Sequence, residues 1–244
     1  MRKIRFFQSA DSVNGRDVQG TIAVVADVLR ATSTIVTALY HGCDFVIPVK
    51  SVNEARDTAK NTNRQDIILG GERNGKNISG FDFGNSPQEY TPKAVSGKIV
   101  VTTTTNGTKA LVHAAEADMT LVLAFLNLSS VADYVLQYDH DVSAVAAGIY
   151  GDFSIEDSVC CGLLIDRLLE KAPHAFELDA AAQKILDFSI QYKGHVEKLL
   201  QKSPHGHFLT ELGYGSDLRV CARLDAYNIV PIYKNGRITA VNHL

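Results

Sequence analysis

The chain has 244 residues, of which 45% are apolar and 21% charged, with a formal net charge of −3. That length suffices for one large core or two small ones at roughly 100–200 residues per domain, and the composition excludes a disordered or fibrous chain. So small a charge provides no broad basic field, which argues against nucleic acid as a partner and confines any anion site to local groups.

Residues 1–8, Met-Arg-Lys-Ile-Arg-Phe-Phe-Gln, begin with charge and reach only two consecutive aromatics, too short for the apolar core of a signal segment. No later run approaches the ~20 apolar residues of a membrane span. The four cysteines, Cys43, Cys160, Cys161 and Cys221, form no C-x-x-C pair, which fits a reducing compartment. A soluble, cytoplasmic protein with no membrane partner is expected.

Short apolar runs followed by helical spacing recur along the chain, the pattern of βα units feeding a mostly parallel sheet. Clear strands are expected at 21–26, 98–103 and 142–148, and weaker ones at 45–49, 67–70 and 121–125. Helices are expected over 31–41 (closed by Gly42), 52–60, 107–115, 129–138, 154–171, 175–203 (interrupted at Gly194) and 217–226. The stretch 71–97 holds five glycines and two prolines and shows neither period. A structureless segment of that length inside a domain is usually functional or disordered, and its chemically selective polar residues favour function. Asn235-Gly236, between 230–233 and 238–241, reads as a terminal hairpin. The expected fold class is α/β, three-layered, with mostly parallel strands, helices on both faces and a C-terminal hairpin. One compact unit over 1–244 is the default, with a division into lobes at about 1–125 and 126–244 left open.

In open α/β sheets ligands bind beyond the carboxyl ends of the strands, where helix N-termini offer free amides to anions. Segments 27–34, 102–108 and 148–158 fit that description. Asp27 follows the run Ala23-Val24-Val25-Ala26, where a divalent cation could join it to a phosphate. Its competing role is helix capping, worth about 1 kcal/mol, for which Thr32 and Ser33 are as well placed. Arg30 stands where the helix dipole disfavours a cation, so it makes sense beside an anion; the alternative is solvent. Thr104-Thr105-Asn106-Gly107-Thr108 offers hydroxyls, an amide and a glycine that lets backbone approach a ligand, without the lysine and spacing of a Walker loop. Ser154-x-x-Asp157 has the form of a capping box. Asp152, Glu156 and Asp157 nevertheless put more carboxylates at one helix start than a cap needs, and hard oxygen ligands of this kind suit Mg²⁺. Glu72-Arg73 and Asp82-Phe83-Gly84-Asn85-Ser86-Pro87 complete the candidate walls of an anion pocket.

Two other patterns carry less weight. Cys161 and Arg167 satisfy the C-x₅-R spacing of cysteine phosphatases, but Val159, Leu163, Leu164 and Leu168 are helically spaced, which would already engage the amides such a loop needs. His205 and His207 offer metal-ligand types in a Pro/Gly setting, a weak signal.

Taken in order, Asp27-Val-Leu-Arg-Ala-Thr-Ser-Thr, Gly70-Gly-Glu-Arg-Asn-Gly75, Asp82-Phe-Gly-Asn-Ser-Pro87, Thr103-Thr-Thr-Asn-Gly-Thr108 and Phe153-Ser-Ile-Glu-Asp-Ser158 resemble the 2-phosphosulfolactate phosphatase family over nearly the whole chain. The ending, Asp217-Leu-Arg-Val-Cys-Ala-Arg-Leu-Asp225 with Val230-Pro231, is a poorer match. The resemblance implies a Mg²⁺-dependent acid phosphatase that converts (R)-2-phospho-3-sulfolactate to (R)-3-sulfolactate and phosphate, a step toward coenzyme M. Its partner would be a small-molecule phosphate ester and its cofactor Mg²⁺, held by Asp27, Glu72 or Asp157. The implied catalytic set is Asp27, Arg30, Glu72 and Arg73, the two arginines pairing with phosphate, sulfonate or carboxylate. Thr32, Asn85, Ser86, Thr105, Asn106 and Gly107 would bind the remaining oxygens. Leu29 occupies the second acid position of the D-x-D pairing in haloacid-dehalogenase phosphatases, so attack by water is expected rather than by Asp27. The alternative is a noncatalytic sensor of a phosphorylated or sulfonated metabolite. Oligomeric state, a homodimer included, is left open.

Overall fold

The computed structural model describes residues 1–61 and 64–242. The strands are β1 (Arg2–Phe7), β2 (Thr21–Ala26), β3 (Phe45–Pro48), β4 (Ile67–Arg73), β5 (Lys76–Asn77), β6 (Ile99–Thr103), β7 (Met119–Leu123), β8 (Asp141–Ala146), β9 (Phe176–Leu178), β10 (Ile229–Lys234) and β11 (Arg237–Asn242). They form one sheet in the order β5-β4-β6-β3-β11-β10-β7-β2-β8-β1-β9. Parallel pairing joins β9, β1, β8, β2 and β7 on one side and β3, β6 and β4 on the other. The expected C-terminal hairpin is present as β10–β11, with Asn235 and Gly236 both at positive φ, as a two-residue turn requires. It lies in the middle of the sheet, where β10 pairs with β7 and β11 with β3, both antiparallel. These antiparallel steps make the two parallel halves run in opposite directions. Sheet twist of roughly 20–25° per strand accumulates over the five steps from β2 to β6, turning the carboxyl ends of the two halves toward one another.

The helices are α1 (Gly15–Val18), α2 (Ala31–Tyr40), α3 (Val52–Lys60), α4 (Pro92–Val95), α5 (Gly107–His113), α6 (Leu128–Val135), α7 (Ile155–Lys171), α8 (Ala180–Ser189), α9 (Val196–Lys202), α10 (Pro204–Glu211) and α11 (Gly215–Cys221). Successive strand residues point to opposite faces, and here both faces are covered. Ile22, Val24 and Ala26 of β2 with Leu121 and Leu123 of β7 pack against apolar residues of α6 to α11. Ala23 and Val25 of β2 with Val122 of β7 pack against α2, α4 and α5. A smaller cluster seats α3 on β4 and β6 through Ala55, Ala59, Ile67, Leu69 and Val101. The arrangement is three-layered α/β.

Departures from the sequence reading have local causes. The strand β1 was not expected, because Arg2, Lys3 and Arg5 mask its period and Ile4 alone is fully buried. The single helix expected over 175–203 is β9, α8 and α9; Asp179 restarts the chain as a helix by accepting a bond from the Ala182 amide at 2.6 Å. Within 71–97, β4 continues to Arg73, so Glu72 stands on a strand, and the remainder includes β5 and α4. The expected helix over 154–171 is α7, capped by Ser154, whose hydroxyl accepts from the Asp157 amide at 3.3 Å. Its apolar length lies in the core. Cys161 is buried inside it, where burial pushes the thiol well above its usual range, so the cysteine-phosphatase reading is overturned. His205 and His207 sit on α10 rather than in a loop. No helix among the described residues is long and apolar enough to cross a membrane.

Candidate active site

The turn after β2 is built around Asp27. Its amide donates to Thr32 Oγ1 at 3.1 Å and its carbonyl accepts from the Thr32 amide at 2.8 Å. Its carboxylate Oδ1 accepts from the Ala31 amide at 3.4 Å, so Asp27 caps α2 while pointing into a crevice. Thr32 is fully buried beneath, latching the turn rather than reaching a ligand. Below it Asp157 accepts from the amides of Val28 at 2.8 Å and Gly148 at 3.3 Å. Asp157 therefore ties the turn after β2 to the one after β8 and stands outside the crevice walls, where a metal ligand was expected.

Glu72, at the end of β4, is bound on both oxygens. Its Oε1 accepts from the Thr105 amide at 2.8 Å and the Thr105 hydroxyl at 2.9 Å, and its Oε2 from the Gly75 amide at 2.8 Å. That grip holds the turn after β6 against the end of β4. Across the crevice, Gly107 is pressed against the first turn. A Cβ there would stand 2.7 Å from Ala31 Cβ and 2.8 Å from Asp27 Oδ2, closer than side chains pack. Gly107→Ala is expected to push the Asp27 carboxylate aside and lower kcat by about 10²-fold, the cost of an ångström-scale misplacement. A steady-state comparison with wild type checks this, and an unchanged rate would show that the contact is not needed.

Arg30 has its anion, and it comes from the chain itself. Its guanidinium donates to Asp217 Oδ2 at 2.7 Å and to the Gly75 carbonyl at 3.0 Å, and lies over the Tyr214 ring at 4.1 Å. Both charged side chains are 1% exposed. Asp217 also accepts from the Ser86 hydroxyl at 2.6 Å and the Gln88 amide at 2.7 Å. Ser86 thus supports Arg30 through Asp217 instead of binding a ligand. Arg73 turns the other way, donating to the Glu72 carbonyl at 2.7 Å and Thr103 Oγ1 at 2.8 Å, so it does not line the crevice as expected.

The crevice is a cavity of about 40 Å³ whose walls include Asp27, Arg30, Glu72, Asn85, Thr105 and Asn106. These residues come from the ends of β2, β4 and β6 and from the segment before α4. Tyr150 also lines it, its amide donating to Asn106 Oδ1 and its hydroxyl to Asn74 Oδ1, both at 3.3 Å. The model of one family, described as 2-phosphosulpholactate phosphatase, matches residues 7–236. The chain belongs to the 2-phosphosulpholactate phosphatase family. It is 41% identical over 238 residues to a probable 2-phosphosulfolactate phosphatase of Clostridium acetobutylicum, covering 97% of this chain and 99% of that one. A protein of the same name from Caldanaerobacter subterraneus is 39% identical over 233 residues, 96% of each chain. Another, from Clostridium novyi, is 39% identical over 240 residues, 97% of this chain and 99% of that one.

From the sequence of this family member, neither Tyr150 nor His205 was expected to stand in the crevice wall. Tyr150 lies two residues from the nearest candidate acid, Asp152, but in a left-handed conformation that no local pattern announced. His205 reaches the crevice from α10, on the far side of the chain order. The signal for it was the histidine itself, and that was weighed only as a metal ligand.

The electrostatics bear on which residues could hold a cation. Asp27 is pushed from 3.8 to about 7, first by burial and then by repulsion from Glu72, with the Ala31 and Gly107 amides opposing. Arg30 does not relieve this, because Asp217 neutralises it. A divalent cation between the two carboxylates would. Glu72 Oε1 already accepts two bonds, which fills an oxygen of this type, so only Oε2 has a lone pair left to offer. Asp27 and Glu72 Oε2 together match the one or two carboxylates that Mg²⁺ takes before completing its octahedron with water and substrate oxygens. Among the described residues no group of three or more His, Cys, Asp or Glu is arranged to hold a metal, and Asp157 is not among the residues lining the crevice.

Proposed function

We propose that this protein is a Mg²⁺-dependent phosphatase, acting in the cytoplasm, that hydrolyses (R)-2-phospho-3-sulfolactate or a closely related phosphorylated hydroxy acid. The observation that carries the reading is the meeting of Asp27, Arg30, Glu72, Thr105 and Asn106 around one crevice in a chain of this family. The unpaired cysteines support the location.

Phosphate-ester hydrolysis asks chiefly for an aligned nucleophile and for neutralisation of charge on the equatorial oxygens. Asp27 and Glu72 would hold Mg²⁺, which when bound supplies Lewis-acid stabilisation of phosphate oxygens. Arg30, fixed by Asp217, Gly75 and Tyr214, presents the remaining N–H groups of its fork to an anionic group of the substrate. The Asn85 and Asn106 side chains offer neutral donors around the same space. Tyr150 adds an aromatic ring and a hydroxyl to the wall of the same space.

A panel of small phosphate esters, including 2-phospho-3-sulfolactate and its carboxylate analogues, assayed with Mg²⁺ and with EDTA, tests this reading. Turnover of 2-phospho-3-sulfolactate that EDTA abolishes and Mg²⁺ restores is expected. Binding of the ester without hydrolysis under any metal would favour a sensor instead.

A further inference from the structure

We propose that the cavity between α9 and the start of α7 is a second ligand site, built for a small organic anion that joins an aromatic or aliphatic body to a sulfonate, phosphate or carboxylate. It shares no lining residue with the crevice and goes beyond the phosphatase reading.

The cavity holds about 370 Å³, within the roughly 300–1,000 Å³ of small-molecule sites. Its walls divide by chemistry, with Ile155, Tyr192 and Leu199 apolar and His195, Lys198 and Lys202 basic. Helical spacing produces that division. Lys198, Leu199 and Lys202 fall three and four residues apart on one face of α9, with His195 one turn earlier. Ile155 and Tyr192 pack against the core, and the Tyr192 ring is braced by Phe188 at 5.5 Å between centroids. The apolar part is therefore held in place on one side while it stays open to a ligand on the other.

The two lysines single this cavity out. Their neighbour Lys193 is committed to Asp166 and Glu170, and Lys171 to Asp133. Glu197, the acid of α9 itself, turns to Arg219 at 3.7 Å and accepts from Gln201 at 3.1 Å. Among the described residues Lys198 and Lys202 have no carboxylate partner, and no acid lines the cavity. Like charges one helical turn apart repel, and an anion between them removes that cost. Each ammonium offers three donors to such a group, while the lysine stems lie along its apolar body.

The site also touches the frame of the crevice. Ser203 lines it and caps α10, accepting from the Gly206 amide at 3.0 Å, and Pro204 beside it opens that helix. Gly206 lets α9 and α10 meet closely, since a Cβ there would stand 1.8 Å from the Leu200 carbonyl oxygen. In turn α10 carries His205, Phe208 and Leu209 into the crevice wall. A ligand that draws Lys198 and Lys202 toward Ile155 acts on the helix pair that holds this wall, so its occupancy changes turnover.

The test uses the full chain and anilinonaphthalene sulfonate, an aromatic sulfonate whose fluorescence rises on leaving water. Saturable binding is expected, with Kd about tenfold higher in a Lys198→Gln, Lys202→Gln double variant. It should be unchanged in Lys184→Gln, which alters the separate aromatic cavity under Phe6, Phe153 and Phe188. Phenylphosphonate, which has no ester bond to hydrolyse, should displace the probe at lower concentration than inorganic phosphate, which has no apolar body. At saturating probe, kcat/KM for 2-phospho-3-sulfolactate with Mg²⁺ is expected to change by about fivefold or more in the wild type and to hold steady in the double variant, whose rate without probe matches wild type. Binding that ignores the two lysines, or that follows Lys184, overturns the site. Binding with no change in turnover overturns its link to α10. Probe binding is read without substrate, so a chain that hydrolyses no phosphate ester overturns the phosphatase reading and leaves this site to stand or fall on the lysine variants.

Discussion

Asp27→Asn is expected to abolish most turnover and, in EDTA, to make the folded protein more stable at pH 8. The folded pKa of Asp27, about 7, lies above its ordinary 3.8, so the folded chain binds this proton more tightly than the unfolded chain. The stability contributed is fully present below pH 3.8 and lost as pH rises through 7. Between pH 5 and pH 8 the loss amounts to about 2–3 kcal/mol. In a chain of this length that is roughly 5–10 °C in melting temperature. Asparagine carries no charge for Glu72 to repel, so the variant should melt higher at pH 8 and show a flatter pH dependence. Loss of an electrostatic contact to the reacting group costs roughly 10²–10³-fold in rate. An Asp27→Asn protein of full activity would remove the carboxylate from the reaction. One that melts lower at pH 8 in EDTA would show that the buried carboxylates do not repel as described.

Asp217→Ala is expected to be among the most destabilising single changes in the chain. It leaves the Arg30 guanidinium, 1% exposed, without its carboxylate, and the Ser86 hydroxyl and Gln88 amide without their acceptor. Breaking one side of a buried ion pair typically costs about 3–5 kcal/mol, because the orphaned charge stays desolvated. Removing both charges in an Arg30→Met, Asp217→Leu double variant should restore much of that stability without restoring turnover. Urea denaturation of the single and double variants measures both. A single variant within 1 kcal/mol of wild type would mean that water reaches Arg30 and that the pair is not sealed.

Much of the fold was legible because it is written in short periods. The strands beginning near 21, 45, 67, 99, 119 and 141 and helices such as Ile155–Lys171 follow from local runs and a capping serine. Where charge interrupted the pattern, as in β1, or where a strand had three residues, as in β9, the local signal was too weak to register.

Site chemistry divides along the same line. That Asp27, Glu72, Thr105 and Asn106 stand at strand ends was determined by sequence alone, since each follows an apolar run. What Arg30 pairs with was not, because its partner lies 187 residues away on α11. Nor was the approach of His205 from α10. Local sequence sets backbone period and end signals, through contacts that a few residues make with one another. Only the assembled sheet, with a hairpin between two opposed halves and the twist that brings their ends together, decides which desolvated charges meet. Burial and separation in space set that energy, and neither is a property of adjacent residues.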